Sequence, residues 1–106
     1  MTDCCQVTTT WPDQVAADRA AATLVRERLA ACAQVQGPLF STYAWKGANE
    51  RGQEWYCHFK TTTGRLRALQ QRIRELHTYE VPEIIALPIV GGDESYLEWI
   101  RSEVKD

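Results

Sequence analysis

IIALPIV, residues 84–90, is apolar at every position, and how this run is covered decides the fold. Bounded by Glu83 on one side and Gly91–Gly92 on the other, it reads as a strand. A two-residue period sets Ile85, Leu87 and Ile89 on one face and Ile84, Ala86 and Val90 on the other. A sheet with one wet face alternates apolar with polar, so a strand apolar on both faces has to be covered twice. Helices of the same chain can cover one side. The chain has no spare element large enough for the other, which predicts a partner subunit.

The stretch just upstream, LHTYEVPE (76–83), joins this strand to an amphipathic helix. That helix starts near Thr63, and its Leu66, Leu69, Ile73 and Leu76 recur at spacings of three, four and three. Pro82 keeps Val81 extended and aims the strand. Earlier still, EWYCHFKT (54–61) alternates, with Trp55, Cys57 and Phe59 facing one way and Glu54, Tyr56, His58 and Lys60 the other. Residues 39–46 alternate as well, and GANERGQ (47–53) between the two runs is turn material, so together they predict a long hairpin. CCQVTTT (4–10) reads as a first strand. Pro12 and Asp13 then start a helix with Asp13 as N-cap, and Ala17, Ala21, Val25 and Leu29 recur every four residues along it to about residue 31, with Leu24 and Cys32 widening the stripe. After Gly91–Gly92, residues 93–104 form a short last helix capped by Asp93 or Ser95. The order is β-α-β-β-α-β plus a terminal helix. It predicts the α+β class and the ferredoxin-like arrangement, an antiparallel sheet with two covering helices and a short C-terminal one.

At 106 residues the chain supports one domain, 1–106, with a single modest core. A net charge of −2 gives no basic field for nucleic acid, although Arg65, Arg67, Arg72 and Arg74 share one short segment and would form a wet helix face. No apolar run approaches the roughly 20 residues of a membrane span. MTDCCQV has no basic region followed by an apolar one, so a cytoplasmic location is expected. Cys4, Cys5, Cys32 and Cys57 make no C-x-x-C pair and no zinc spacing, which predicts free thiols.

Several pieces of the chain carry a family likeness. LAAC (29–32), the Tyr-x-Trp-x-Gly of residues 43–47, and HTYEVPEI (77–84) stand in order on the expected elements, and the likeness runs from about Val7 to Ile100. The sequence resembles the CutA family of divalent-cation tolerance proteins. The resemblance implies a ferredoxin-like homotrimer akin to PII signalling proteins. It also implies a bacterial cytoplasmic role in tolerance of copper or another divalent cation, with no organic cofactor. Family members credited with copper binding use a Cys late in the first strand and a His pair after the second helix. Here those three positions are Thr9, Leu76 and His77, so only His77 keeps a donor suited to copper.

Two readings follow for each candidate residue. His77 is either a cation at the negative end of a helix dipole or a metal ligand. Glu83, an acid entering an apolar strand, needs a partner, for which Lys60 or His77 is at hand. Tyr43 and Trp45 are core or interface aromatics, or else ligand contacts. Lys60 is a rim lysine or a contact for an anion. Gathered in a cleft between subunits, Tyr43, Trp45, Lys60, His77, Tyr79 and Glu83 would make a small-ligand pocket. The functions in play are therefore a metal-binding tolerance protein and a trimer that binds a small anionic metabolite between subunits. VQGPLF (35–40) is similar to the phosphate loop of acylphosphatases, but Ser41 stands where the arginine belongs and a strand follows, so no enzyme is expected.

Overall fold

The computed structural model describes residues 2–104. The chain runs β1 (Cys4–Trp11), α1 (Gln14–Arg26), β2 (Cys32–Trp45), β3 (Ala48–Thr62), a 3-10 turn (Thr63–Arg65), α2 (Leu66–Leu76), β4 (Ile84–Pro88) and α3 (Glu94–Glu103). The four strands form one sheet in the order β2-β3-β1-β4. Every neighbouring pair is antiparallel. This is the α+β arrangement expected from the order of elements.

The core lies between α1, α2 and one face of the sheet. Val7, Cys57 and Phe59 from the strands pack against Ala17, Ala20 and Leu24 of α1 and Leu69 and Ile73 of α2. Burial of this apolar surface is the main force that fixes the helices on the sheet. The α2 stripe is the one expected, with Leu69 and Ile73 buried and Leu66 and Leu76 packed at its ends. The α1 stripe holds in part: Ala17, Leu24 and Leu29 are buried as expected, but Ala20 and Thr23 are buried too and Val25 is 38% exposed. A strict four-residue repeat drifts by about 40° per step on a helix of 3.6 residues per turn, so a stripe that starts at Ala17 has left the core by Val25. The helix also ends at Arg26, short of the expected residue 31. Arg28 adopts φ 62°, the left-handed conformation that closes helices, without the glycine that usually marks it.

Both caps are where the sequence puts them. Asp13 accepts from the Ala16 amide at 2.8 Å, and Asp93, of the two candidates for α3, accepts from Tyr96. All four cysteines are free, and Cys4 and Cys5 lie on opposite sides of β1, both buried.

The hairpin departs from expectation. Its turn is only Lys46–Gly47, both at positive φ, and residues 48–53 belong to β3. A two-residue loop of this kind matches the twist of the strands it joins. Cross-strand pairing from Leu39↔Glu54 to Trp45↔Ala48 overrides the turn-rich composition of ANERGQ. Pairing of β3 with β1 stops at Trp11↔Trp55. Beyond that point the hairpin continues as an arm with no third strand.

Register fixes what the second face of the sheet carries. Gln6↔Lys60, Thr8↔His58 and Thr10↔Tyr56 are pairs, and with Glu54 they form a row on the side away from Val7 and Phe59. Ile85 and Leu87, opposite Thr8 and Gln6, lie on that side too and are about half exposed. Ile84 packs into the core instead. Strand β4 stops at Pro88, not at residue 90, though Ile89 still donates to the Cys4 carbonyl. Leu97 and Ile100 of α3, with Val104 just past its end, close on Cys4 and Ala31 and so cover one end of the second face. The remainder is open, as the two-sided apolar strand requires if another molecule is to cover it.

Candidate functional site

Where the arm leaves the sheet, it meets the connection between α2 and β4. The two enclose a cleft of about 780 Å³ lined by Thr10, Tyr43, Trp45, Glu54, Tyr56, Tyr79 and Glu83, among others. The volume falls in the range of small-ligand sites. The strand period explains the membership. Glu54 and Tyr56 are two apart on β3 and share its second face, while Tyr43 and Trp45 are two apart on the arm.

Glu54 is the buried acid of the site, 9% exposed, and its Oε2 accepts from the Tyr79 hydroxyl at 2.8 Å. Burial, and then the hydrogen bond to Glu54, hold the Tyr79 phenol well above its ordinary value, so it donates throughout the usual pH range. Burial and the Glu54 carboxylate also push Glu83 above the usual carboxylate range. The Glu54 carboxylate therefore acts on Glu83. Glu80 is a third acid on the rim, where Lys46 lies 3.7 Å from it in solvent. Among the described residues no lysine, arginine or histidine lines the cleft. Its chemistry is that of a negative, aromatic-walled pocket.

The structure thus brings Tyr43, Trp45, Tyr79 and Glu83 together, and leaves two expected members elsewhere. Lys60 is six residues from Glu54 along β3, about 20 Å at the usual strand rise, and donates to Gln34. It neither faces the cleft nor pairs with Glu83. His77 sits behind the cleft, stacked on the buried Trp11 ring at 4.1 Å. Its Nδ1 accepts from the Tyr79 amide at 3.2 Å, so the proton is on Nε2, which lies 2.7 Å from the Thr10 carbonyl. Burial lowers its pKa, which favours the neutral ring. His77 is therefore not a cation bound to the end carbonyls of α2, and its imidazole anchors the α2–β4 connection to β1.

The copper-type positions behave alike. Thr9 donates to the Cys57 carbonyl and accepts from Trp11 Nε1, while both nitrogens of His77 are engaged. As placed, these residues do not fit a metal ion. Among the described residues no three His, Cys, Asp or Glu side chains come together as a metal-binding group. Sequence reasoning missed Glu54 as a site residue. Its one visible mark is that it is the acid next to Trp55 at the start of an alternating run; its link to Tyr79 spans 25 residues and has no local signature.

Comparison with known proteins bears on this geometry. A family model described as CutA1 divalent ion tolerance protein matches residues 5–103. The chain is 45% identical over 92 residues to the divalent-cation tolerance protein CutA of Thermus thermophilus, covering 87% of this chain and 89% of that protein. It is 36% identical over 97 residues to the chloroplastic protein CutA of Arabidopsis thaliana, covering 92% of this chain and 53% of that longer one. Its fold matches the crystal structure of CutA from Xylella fastidiosa with a TM-score of 0.95 and 36% identity, over 98% of this chain and all of that one.

Proposed function

The chain belongs to the CutA1 divalent ion tolerance family, and from that premise we propose that it is a cytoplasmic homotrimer that takes up a divalent metal ion directly. One observation carries the reading. Glu54 and Glu83 line one cleft, burial and the Glu54 carboxylate raise the cost of ionising Glu83, and among the described residues no basic residue in the lining offsets them. A cation relieves that repulsion, and a small anion would meet three glutamates. The carboxylate pair suits an oxygen-seeking divalent ion. In the proposal Glu54 and Glu83 hold the ion, and Tyr79 fixes the free rotation of Glu54. One chain supplies too few donors to complete a coordination shell. Water, or a side chain of a neighbouring copy, supplies the rest.

Assembly in threes is supported by the arm and by β4. Phe40 and Tyr43 on the arm and Ile85 and Leu87 on β4 are each about half exposed or more, a large apolar area for a lone chain to leave in water. The role proposed is binding, not catalysis.

The test is isothermal titration of wild type, Glu83→Gln and His77→Ala with Mn(II), Zn(II) and Cu(II). Loss of about tenfold or more in affinity, or 1.4 kcal/mol, is expected for Glu83→Gln and little change for His77→Ala. Equal binding by wild type and Glu83→Gln would remove the cleft from the reading. Loss confined to His77→Ala would return the metal to His77.

A further inference from the structure

The cleft is larger than a metal ion needs. An ion with six waters occupies about 200 Å³ at the volume of liquid water, roughly a quarter of the 780 Å³. Much of the remaining wall is aromatic. Tyr43 and Trp45 line it from the arm, Tyr56 from β3, and Tyr79 from the connection between α2 and β4. Tyr79 is fixed by its 2.8 Å hydrogen bond to Glu54. The face of an aromatic ring is the negative side of its quadrupole, so the rings and the carboxylates favour a ligand of the same sign. Glu54 is taken up by Tyr79. Glu83 makes no ion pair among the described residues, which leaves its charge for a ligand.

The chain itself places an ammonium at the mouth of this cleft. Lys46 Nζ lies 5.5 Å from the centroid of the Trp45 ring and 3.7 Å from Glu80 Oε2, and both Trp45 and Glu80 line the cleft. One contact is within cation–π range and the other within ion-pair range. The Lys46 side chain is 70% exposed, so its ammonium rests on the rim and leaves the interior free. Phe40 shows the same attraction on the far side of the arm's pairing, with Arg51 Cζ 4.7 Å from its ring centroid.

Aromatic walls discriminate among cations. A small divalent ion parts with its water reluctantly and gains little from a ring face. An alkylammonium ion carries its charge beneath methyl groups, which gain from leaving water while the charge gains from the rings. On the premise above that the cleft selects a cation, we infer that it has a second class of ligand. That ligand is an organic ammonium ion, seated against the Trp45 and Tyr79 rings with its charge toward Glu83.

Isothermal titration of the full chain with tetramethylammonium tests this, beside tert-butanol, which has similar bulk and no charge. Wild type is expected to bind tetramethylammonium at least about tenfold more tightly than tert-butanol, a comparison that needs no variant. Trp45→Leu keeps an apolar side chain on the exposed arm, and Glu83→Gln keeps the shape of the acid. Each, with its fold checked by circular dichroism, is expected to lose about tenfold in affinity for tetramethylammonium. The inference is overturned if tert-butanol binds as tightly, or if neither substitution weakens tetramethylammonium. If wild type takes up Mn(II) but no tetramethylammonium, the organic ligand is overturned and the metal reading stands. If it binds tetramethylammonium but no Mn(II), the metal reading falls and the organic ligand is supported. If it binds neither, both are overturned.

Discussion

His77 and Glu83 show how one short stretch divides its work. Both sit in the joint between α2 and β4, yet the ring of His77 faces inward to Trp11 and the Thr10 carbonyl, while Glu83 faces the cleft. Residue type made both of them candidates, and their tertiary partners separate them. The cleft acids carry a pH consequence. Metal uptake needs ionised carboxylates, and Glu83 is held above the usual carboxylate range by burial and by Glu54. Uptake of Mn(II) followed from pH 8 downward is expected to fail at a higher pH than an ordinary glutamate of about 4.3 would dictate, and Glu54→Gln is expected to bring the residual titration of Glu83 back toward that value. A titration midpoint for Glu83 that Glu54→Gln leaves unmoved would contradict the coupling. Four of the five cleft candidates other than His77 were legible as side chains suited to a site. Lys60 was misplaced because the sequence does not say which end of β3 the α2–β4 connection meets.

At the scale of elements, local chemistry was readable wherever a side chain acts on its own backbone. Asp13 caps α1 with a 2.8 Å bond to the Ala16 amide, a role visible in the Pro12–Asp13 pair. Asp13→Ala is expected to cost about 1 kcal/mol, read as a lower urea midpoint with an unchanged slope. What could not be read were boundaries set by non-local partners. The left-handed Arg28 ends α1, and its guanidinium donates to the carbonyls of Ser102 and Glu103 at the far end of the chain. Nothing near residue 28 announces that. The same holds for the arm, where pairing with β2 drew ANERGQ into a strand. At the arm's root, a Cβ on Gly37 would lie 2.5 Å from the Trp55 ring, so glycine there is dictated by close approach and not by a turn.

On the scale of the whole molecule, the unequal strands set the outline. β2 and β3 have 14 and 15 residues, β1 and β4 only 8 and 5, and the molecule is 44 Å long by 25 and 22 Å across. The length comes from an arm that its own chain does not cover. The two-sided apolar character of β4 was visible in the sequence, as was the need to cover it, because apolarity is a property of the residues themselves. Where the covering surface comes from is not. If copies supply it, Leu87→Lys places a charge in the contact, and native mass spectrometry is expected to show a shift from trimer to monomer with the fold retained. A trimer undiminished by that change would move the contact off β4. The sheet order has one more outcome, for synthesis. β1 precedes the other strands along the chain but lies between β3 and β4, so its outer hydrogen-bonding edge waits for residues 84–88, the last strand of the sheet. A ribosome-bound chain of the first 80 residues would therefore expose an unzipped inner strand. Until β4 is made, that edge stays open to mispairing with other chains.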